Sequence, residues 1–211
     1  MIVRLLRILM AGVIFVFATA AQAQGQDPKP WYVALGTGGA WYEDLDLRGG
    51  VAASMDTGFT VSGAFGRYID DIRVIRLEGE VLYTRSDVDN LGGAQATGTL
   101  SNVGLMFNAY YDVRTGSSWT PYFGGGIGYS RVDFDKLTSG GVLVANDSSD
   151  AFSWQIKVGV AYEFSPSWAV NVGYRYYGTD NLDFDSPTGG AHVTSEGSRI
   201  SSAEVGLRLN F

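Results

Sequence analysis

His192, Thr194, Ser195 and Glu196 bring a base, two hydroxyls and an acid within five residues, the residue types from which an activated nucleophile is built. Such a relay needs its groups held at hydrogen-bond distance by rigid elements, yet all four fall in one Gly-rich link between Thr179 and Ser198. No catalytic residues are therefore assigned, and the chain is not expected to be an enzyme. The run Asp180-Asn181-Leu182-Asp183-Phe184-Asp185 sets oxygen ligands at alternate positions, but it lacks the glycine and closing glutamate of a calcium loop. With no cysteine either, no metal or other cofactor is expected. The chemistry that remains is electrostatic. Arg76, Glu78, Glu80, Asp112, Lys157, Glu163, Arg175, Glu204 and Arg208 stand singly or alternately among apolar residues. Buried alone, each would cost several kcal/mol, so five acids and four bases so placed are expected to pair with one another.

Strands are the elements that can gather them, because successive strand side chains point to opposite faces. The last nine residues put Ala203, Val205, Leu207, Leu209 and Phe211 on one face and Glu204, Gly206, Arg208 and Asn210 on the other. Phe152, Trp154, Ile156, Val158, Val160, Tyr162 and Phe164 oppose Ser153, Gln155, Lys157, Gly159, Ala161 and Glu163 in the same way. Trp168, Val170, Val172, Tyr174 and Tyr176 oppose Ala169, Asn171, Gly173, Arg175 and Tyr177, and Ile75, Leu77, Val81 and Tyr83 oppose Arg76, Glu78 and Glu80. Every charge falls on the less apolar face. Phe123, Ile127 and Tyr129 point out, while Gly124, Gly126 and Gly128 leave interior space for a long neighbouring side chain.

Eight such segments run from Trp31 to Trp41, Gly58 to Tyr68, Ile72 to Arg85, Gly98 to Val113, Trp119 to Asp133, Asp150 to Phe164, Trp168 to Gly178 and Arg199 to Phe211. Short links at 69–71, 114–118 and 165–167 alternate with long ones at 42–57, 86–97, 134–149 and 179–198. An even number of antiparallel strands with short turns at one end and long loops at the other predicts an all-β, up-and-down, eight-stranded transmembrane β-barrel in the outer membrane. Eight strands close a barrel narrow enough for side chains to fill.

The N-terminus agrees on compartment. Arg4 and Arg7, the apolar run from Ile8 to Ala20 and Ala21-Gln22-Ala23 predict a cleaved signal peptide over residues 1–23. Residues 24–30 read as a short periplasmic lead-in, and 31–211 as the barrel. Cleavage removes two of 15 basic residues and none of 22 acidic ones, leaving a net charge of −9, which argues against nucleic acid as a partner.

Aromatic rings favour membrane interfaces, and here they sort by height. Tyr111, Trp119, Phe164, Trp168 and Phe211 lie beside the short turns, and Tyr83, Tyr129, Phe152, Trp154 and Tyr176 beside the long links. The charges also sort, with Glu78, Glu80, Lys157, Arg175 and Glu204 near mid-height and Arg76, Asp112, Glu163 and Arg208 nearer the periplasm. If this plug rearranges to pass small ions, Arg175→Ala changes single-channel conductance; if it is a fixed polar core, the substitution leaves bilayer traces unchanged. The long links and the residues bounding them hold 14 of the 22 acids: Glu43, Asp44, Asp46, Asp56, Asp87, Asp89, Asp133, Asp135, Asp147, Asp150, Asp180, Asp183, Asp185 and Glu196. They suit a solvated outer face, divalent cations shared with lipopolysaccharide phosphates, or a basic host, phage or envelope ligand. Val142 to Ala145 is an apolar patch among Gly and Ser, read as a short hairpin or a contact surface.

The blocks Arg76-Leu77-Glu78-Gly79-Glu80-Val81, Met106-Phe107-Asn108-Ala109-Tyr110-Tyr111-Asp112, Pro121-Tyr122-Phe123-Gly124-Gly125-Gly126-Ile127-Gly128-Tyr129 and Val172-Gly173-Tyr174-Arg175-Tyr176 resemble the small OmpA/OmpX-type barrels, in particular the porin-family surface-antigen group. The resemblance implies a monomer contributing to envelope integrity, with a small low-conductance pore as the alternative. It also implies insertion by the barrel-assembly machinery, read from a terminal signal at Val205, Leu207, Leu209 and Phe211. The sequence stops at the barrel, so a cell-wall anchoring role is not carried over. Resemblance to the barrel lipid A deacylases would require a His-x-Ser motif on a lipid-facing strand, and the residue two after His192 is Thr194.

Overall fold

Period-two alternation carried through consecutive segments leaves each strand with one apolar and one polar face, and a closed sheet satisfies both while abolishing edges. The computed structural model describes residues 29–43, 45–47, 51–55, 57–69, 71, 73–91, 94–139, 142–145, 148–180, 182–185, 192–195 and 197–211. The expected signal peptide and most of the lead-in lie outside them. Eight long strands form the wall: β1 (Trp31–Tyr42), β4 (Gly58–Tyr68), β5 (Ile75–Leu91), β6 (Ala94–Asp112), β7 (Trp119–Ser139), β9 (Ser148–Glu163), β10 (Trp168–Thr179) and β13 (Arg199–Asn210). Each pairs antiparallel with its neighbours in chain order, and β13 returns to β1, with Tyr32 opposite Asn210 and Leu35 opposite Leu207. The barrel is thereby closed.

Five short strands add to the long-link end: β2 (Leu45–Leu47), β3 (Val51–Met55), β8 (Val142–Ala145), β11 (Leu182–Asp185) and β12 (His192–Ser195). Together with the far ends of β5, β6 and β7 they extend the ladder past the segments the alternation marked. The expected 86–97 link is largely ladder, since β5 runs to Leu91 and β6 begins at Ala94. Asp46, Asp87, Asp89, Asp133, Asp135, Asp150, Asp183 and Asp185, expected in links or at their edges, thus stand on strands. Beyond the membrane no lipid side imposes alternation, which is why the extensions of β5, β6 and β7 read as links; Val142 to Ala145, read as a short hairpin or a contact surface, is β8 and pairs antiparallel with β7. His192, Thr194 and Ser195 likewise lie on β12 rather than in a loop, with His192 opposite Asp185 and Thr194 opposite Asp183.

Outside, Leu35, Val61, Phe65, Leu105, Phe107, Phe123, Ile127, Ile156, Val172 and Val205 form a broad exposed apolar band, the surface a bilayer requires. Inside, glycines take up the bulk of neighbouring rings and amides. A β-carbon at Gly124 would strike the Tyr110 ring, one at Gly126 the Asn108 amide and one at Gly128 the Met106 sulfur. The interior space expected along β7 is occupied by these three β6 side chains. At the short-turn end Gly116 takes φ 72°, the left-handed conformation a glycine adopts without strain.

Candidate functional site

The lumen is filled in tiers. Nearest the short turns, Arg76 Nε donates to Asp112 Oδ1 at 2.9 Å and Tyr68 OH donates to Asp112 Oδ2 at 3.0 Å. The Arg76 guanidinium lies 4.4 Å from the Tyr110 ring centre, within cation–π range. Arg208, 1% exposed, has Nη2 3.6 Å from Glu163 Oε1, and its Nε and Nη2 make no hydrogen bond. Glu163 also faces Arg114 at 3.8 Å.

At mid-height Arg175 is the hub. Its Nη2 donates to Glu80 Oε1 at 2.6 Å, its Nε to Glu204 Oε1 at 2.7 Å and its Nη1 to Gln155 Oε1 at 2.6 Å. Lys157 Nζ sits 3.3 Å from Glu80 and 3.8 Å from Glu204. Two carboxylates and two cations therefore neutralise one another in a buried cluster, and the planar fork of an arginine supplies the geometry. Glu78, expected in the same charge layer, is held instead by neutral donors: Tyr32 OH at 2.9 Å, Tyr110 OH at 3.0 Å and Asn108 Nδ2 at 3.1 Å. Asn108 Nδ2 also reaches Glu80 Oε2 at 2.9 Å and Gln155 Nε2 reaches the same atom at 2.7 Å. A cavity of about 60 Å³ lies beside these groups, bounded by Tyr122, Lys157, Asn171, Glu204 and Arg208 among others.

One step nearer the long links the lumen turns apolar. Ala40, Leu82, Met106, Tyr177 and Ile200 pack into a buried cluster with Tyr42 against it. Above it Tyr177 OH is hydrogen-bonded with Ser130 Oγ and accepts from Asn102 Nδ2 at 3.2 Å. Tyr42 OH donates to Thr84 Oγ1 at 3.0 Å. The alternation gave no warning of this layer, because Leu82 and Met106 are apolar residues on the inward phase. Tyr32, Tyr68, Asn108 and Tyr110 were missed for the opposite reason: their amphipathic side chains suit either face. Phase held the clue, since Asn108 and Tyr110 are in step with Asp112.

On the outer wall the aromatic residues meet in cross-strand pairs. Tyr111 meets Phe123 and Trp119 meets Tyr162 towards the short turns, with centroids 5.5 and 4.6 Å apart. Tyr129 meets Phe152 and Trp154 meets Tyr176 towards the long links, at 6.2 and 5.6 Å. Tyr83 lies against Phe59 at 6.0 Å. Phe164 is exposed, and Trp168 and Phe211 are half-buried. Val205 and Leu207 are exposed outward. Leu209 is buried on that face because the ladder places it between Val33 and Trp168. The Phe211 N–H donates to Trp31 O at 2.9 Å.

The family described as "Outer membrane protein beta-barrel domain" matches residues 9–194. An "Outer membrane protein" of Gluconacetobacter diazotrophicus is 30% identical over 138 residues, 58% of this chain and 36% of that protein. The chain matches about half or less of the length of its curated relatives. Among solved structures, Neisserial surface protein A superposes with a TM-score of 0.55 at 23% identity, covering 86% of this chain and 97% of that one. OprG from Pseudomonas aeruginosa does so with 0.56 at 16% identity, covering 89% and 98%. These likenesses are of fold.

Proposed function

The chain belongs to the outer membrane protein beta-barrel family and resides in the bacterial outer membrane, in contact with its lipids; from that premise we propose that it is a closed structural barrel of the envelope presenting an acidic outer face to partners. The observation that carries this reading is a lumen with two seals in series. The cluster of Arg175, Lys157, Glu80 and Glu204 fills the middle, and the layer of Leu82, Met106, Tyr177 and Ile200 caps it. A dewetted apolar constriction stops ions as effectively as a charged one. Planar-bilayer recordings of the folded mature protein are expected to give no discrete openings; reproducible single-channel steps would reject a permanently sealed lumen. A low-conductance pore is the second reading, favoured by the charged cavity of about 60 Å³ beside Arg208.

The outer face supports the interaction role. The acids of the four long links outnumber their bases, and a basic host, phage or envelope ligand is the chemistry they suit. The protein acts as a monomer in this reading, since each of the eight spanning strands is paired on both sides, and the reading assigns it no catalytic role.

Biogenesis is the third element. We read Val205, Leu207, Leu209 and Phe211 as the signal for the barrel-assembly machinery, because they lie on β13 or at its end, the C-terminal strand that closes the barrel against β1. Deleting Phe211 removes its hydrogen bond to Trp31 O and the terminal ring. Heat-modifiable protein in outer-membrane fractions is expected to fall several-fold. Normal levels of the truncated barrel would remove the assignment.

A further inference from the structure

A pattern repeats on the outer wall where the barrel leaves the apolar band. On β5 the outward positions run Tyr83, Arg85, Asp87, and on β7 they run Tyr129, Arg131, Asp133, while Thr84, Ser86, Ser130 and Val132 between them are buried in the lumen. A third copy is assembled across two strands. After Tyr176 the outward position on β10 is Gly178, where a β-carbon would strike the Trp154 indole. The ladder puts Arg199 of β13 opposite Gly178, with its guanidinium 5.4 Å from the Trp154 ring centre, and Asp180 follows. Three sectors of the wall thus present an aromatic ring, then an arginine, then an aspartate.

Each step of two residues advances roughly 5 Å along the barrel axis for a strand tilted by about 40°. A ring at the edge of the apolar band is therefore followed by a guanidinium at the depth of lipid phosphates and a carboxylate beyond them. Arg85 is exposed. The Arg131 side chain is 57% exposed, 3.7 Å from Asp133 and steadied by a 2.6 Å bond to Ser148 Oγ. Arg199 is fixed by Thr179 O at 2.9 Å and Ser198 O at 3.2 Å, both bonds through Nη1. Asp150 stands opposite Arg131 at the same height, so this guanidinium has an acid beside it as well as beyond it, and Asp87, Asp133 and Asp180, one step further out, set the outer limit to where an anion can sit.

We propose that Arg85, Arg131 and Arg199 form a ring that binds the phosphates of the outer-leaflet glycolipid, with Tyr83, Tyr129 and the Trp154–Tyr176 pair packing on its acyl chains. A free phosphate fits less well, because the rings beneath each arginine offer apolar contact that only a lipid uses. This deepens the lipid contact of the proposed envelope barrel and is independent of whether the lumen conducts. The test is a native mass-spectrometry titration of the folded mature protein in detergent, using diphosphoryl lipid A, the same lipid dephosphorylated, and inorganic phosphate. At about fivefold per arginine, R85Q/R131Q/R199Q is expected to weaken lipid A binding on the order of a hundredfold and to leave the dephosphorylated lipid unchanged. Equal binding of lipid A by wild type and variant overturns the proposal, as does inorganic phosphate binding as tightly as the lipid. Should the triple variant fail to fold, R131Q alone, altering a mostly exposed side chain, is expected to lose about fivefold, and no loss would be equally fatal.

Discussion

Arg175→Ala is expected to destabilise the barrel by about 3–5 kcal/mol, the cost of breaking a buried ion pair from one side. The guanidinium is 1% exposed and holds Glu80, Glu204 and Gln155 at 2.6 to 2.7 Å. Without it, Lys157 alone faces two buried carboxylates, and its 3.3 and 3.8 Å contacts cannot replace a bidentate fork. Arg175→Lys should recover little, because a point charge cannot serve three acceptors in one plane. The double change Arg175→Ala with Glu80→Gln should be milder than the sum of the two single changes, since it leaves no excess buried negative charge. Urea unfolding in lipid vesicles measures the four variants against wild type. A single variant within about 1 kcal/mol of wild type would mean that water already carries the load assigned to Arg175. The same variant should still pass no current, since the apolar layer of Leu82, Met106, Tyr177 and Ile200 lies beyond the vacated space. A charge plug alone would have predicted a conductance change.

That difference marks where the amino-acid sequence is informative and where it is not. Alternation put six charges of β5, β9 and β10 and two of β13 on the inward phase, because lipid tolerates no error of phase. It located β4 to the residue and the other spanning strands near their short turns, where aromatic residues and turn residues coincide. At the far end the constraint disappears. Ser86 and Asp87 on β5 and Asp133 on β7 face water or lumen, so strand and loop share a composition there. In the lumen, net charge identified Arg175, Glu80 and Glu204, but geometry decided the pairing. Glu78 differs from Glu80 by one inward step, yet it takes Tyr32, Tyr110 and Asn108 rather than a cation. Which neighbour reaches which carboxylate depends on how the ladder registers set β1, β6, β9 and β10 against β5, and no single strand encodes it.

The glycines of β7 carry that register into stability. Gly126→Ala is expected to cost about 3–6 kcal/mol, whereas Gly79→Ala is expected to be neutral or slightly stabilising. The new methyl at Gly126 would strike Asn108 Oδ1 and the backbone oxygen of Phe107. Asn108 must then swing away, releasing its bonds to Glu78 at 3.1 Å and Glu80 at 2.9 Å. Hydrogen bonds to charged groups are worth about 1.5–3 kcal/mol each, and both carboxylates remain buried at 5% and 1% exposure. Gly79 points to the lipid side, where the nearest atom to a β-carbon is Phe65 O at 4.0 Å, and a strand glycine costs about 0.5–1 kcal/mol relative to alanine because its unfolded backbone has more freedom to lose. The two substitutions are chemically identical and stand on neighbouring parts of the wall, so their contrast isolates the inward contact. Equal urea midpoints for the pair would show that β6 and β7 separate at no cost, and the seating of Asn108, Tyr110 and Met106 against Gly126, Gly124 and Gly128 would lose its role in fixing the lumen.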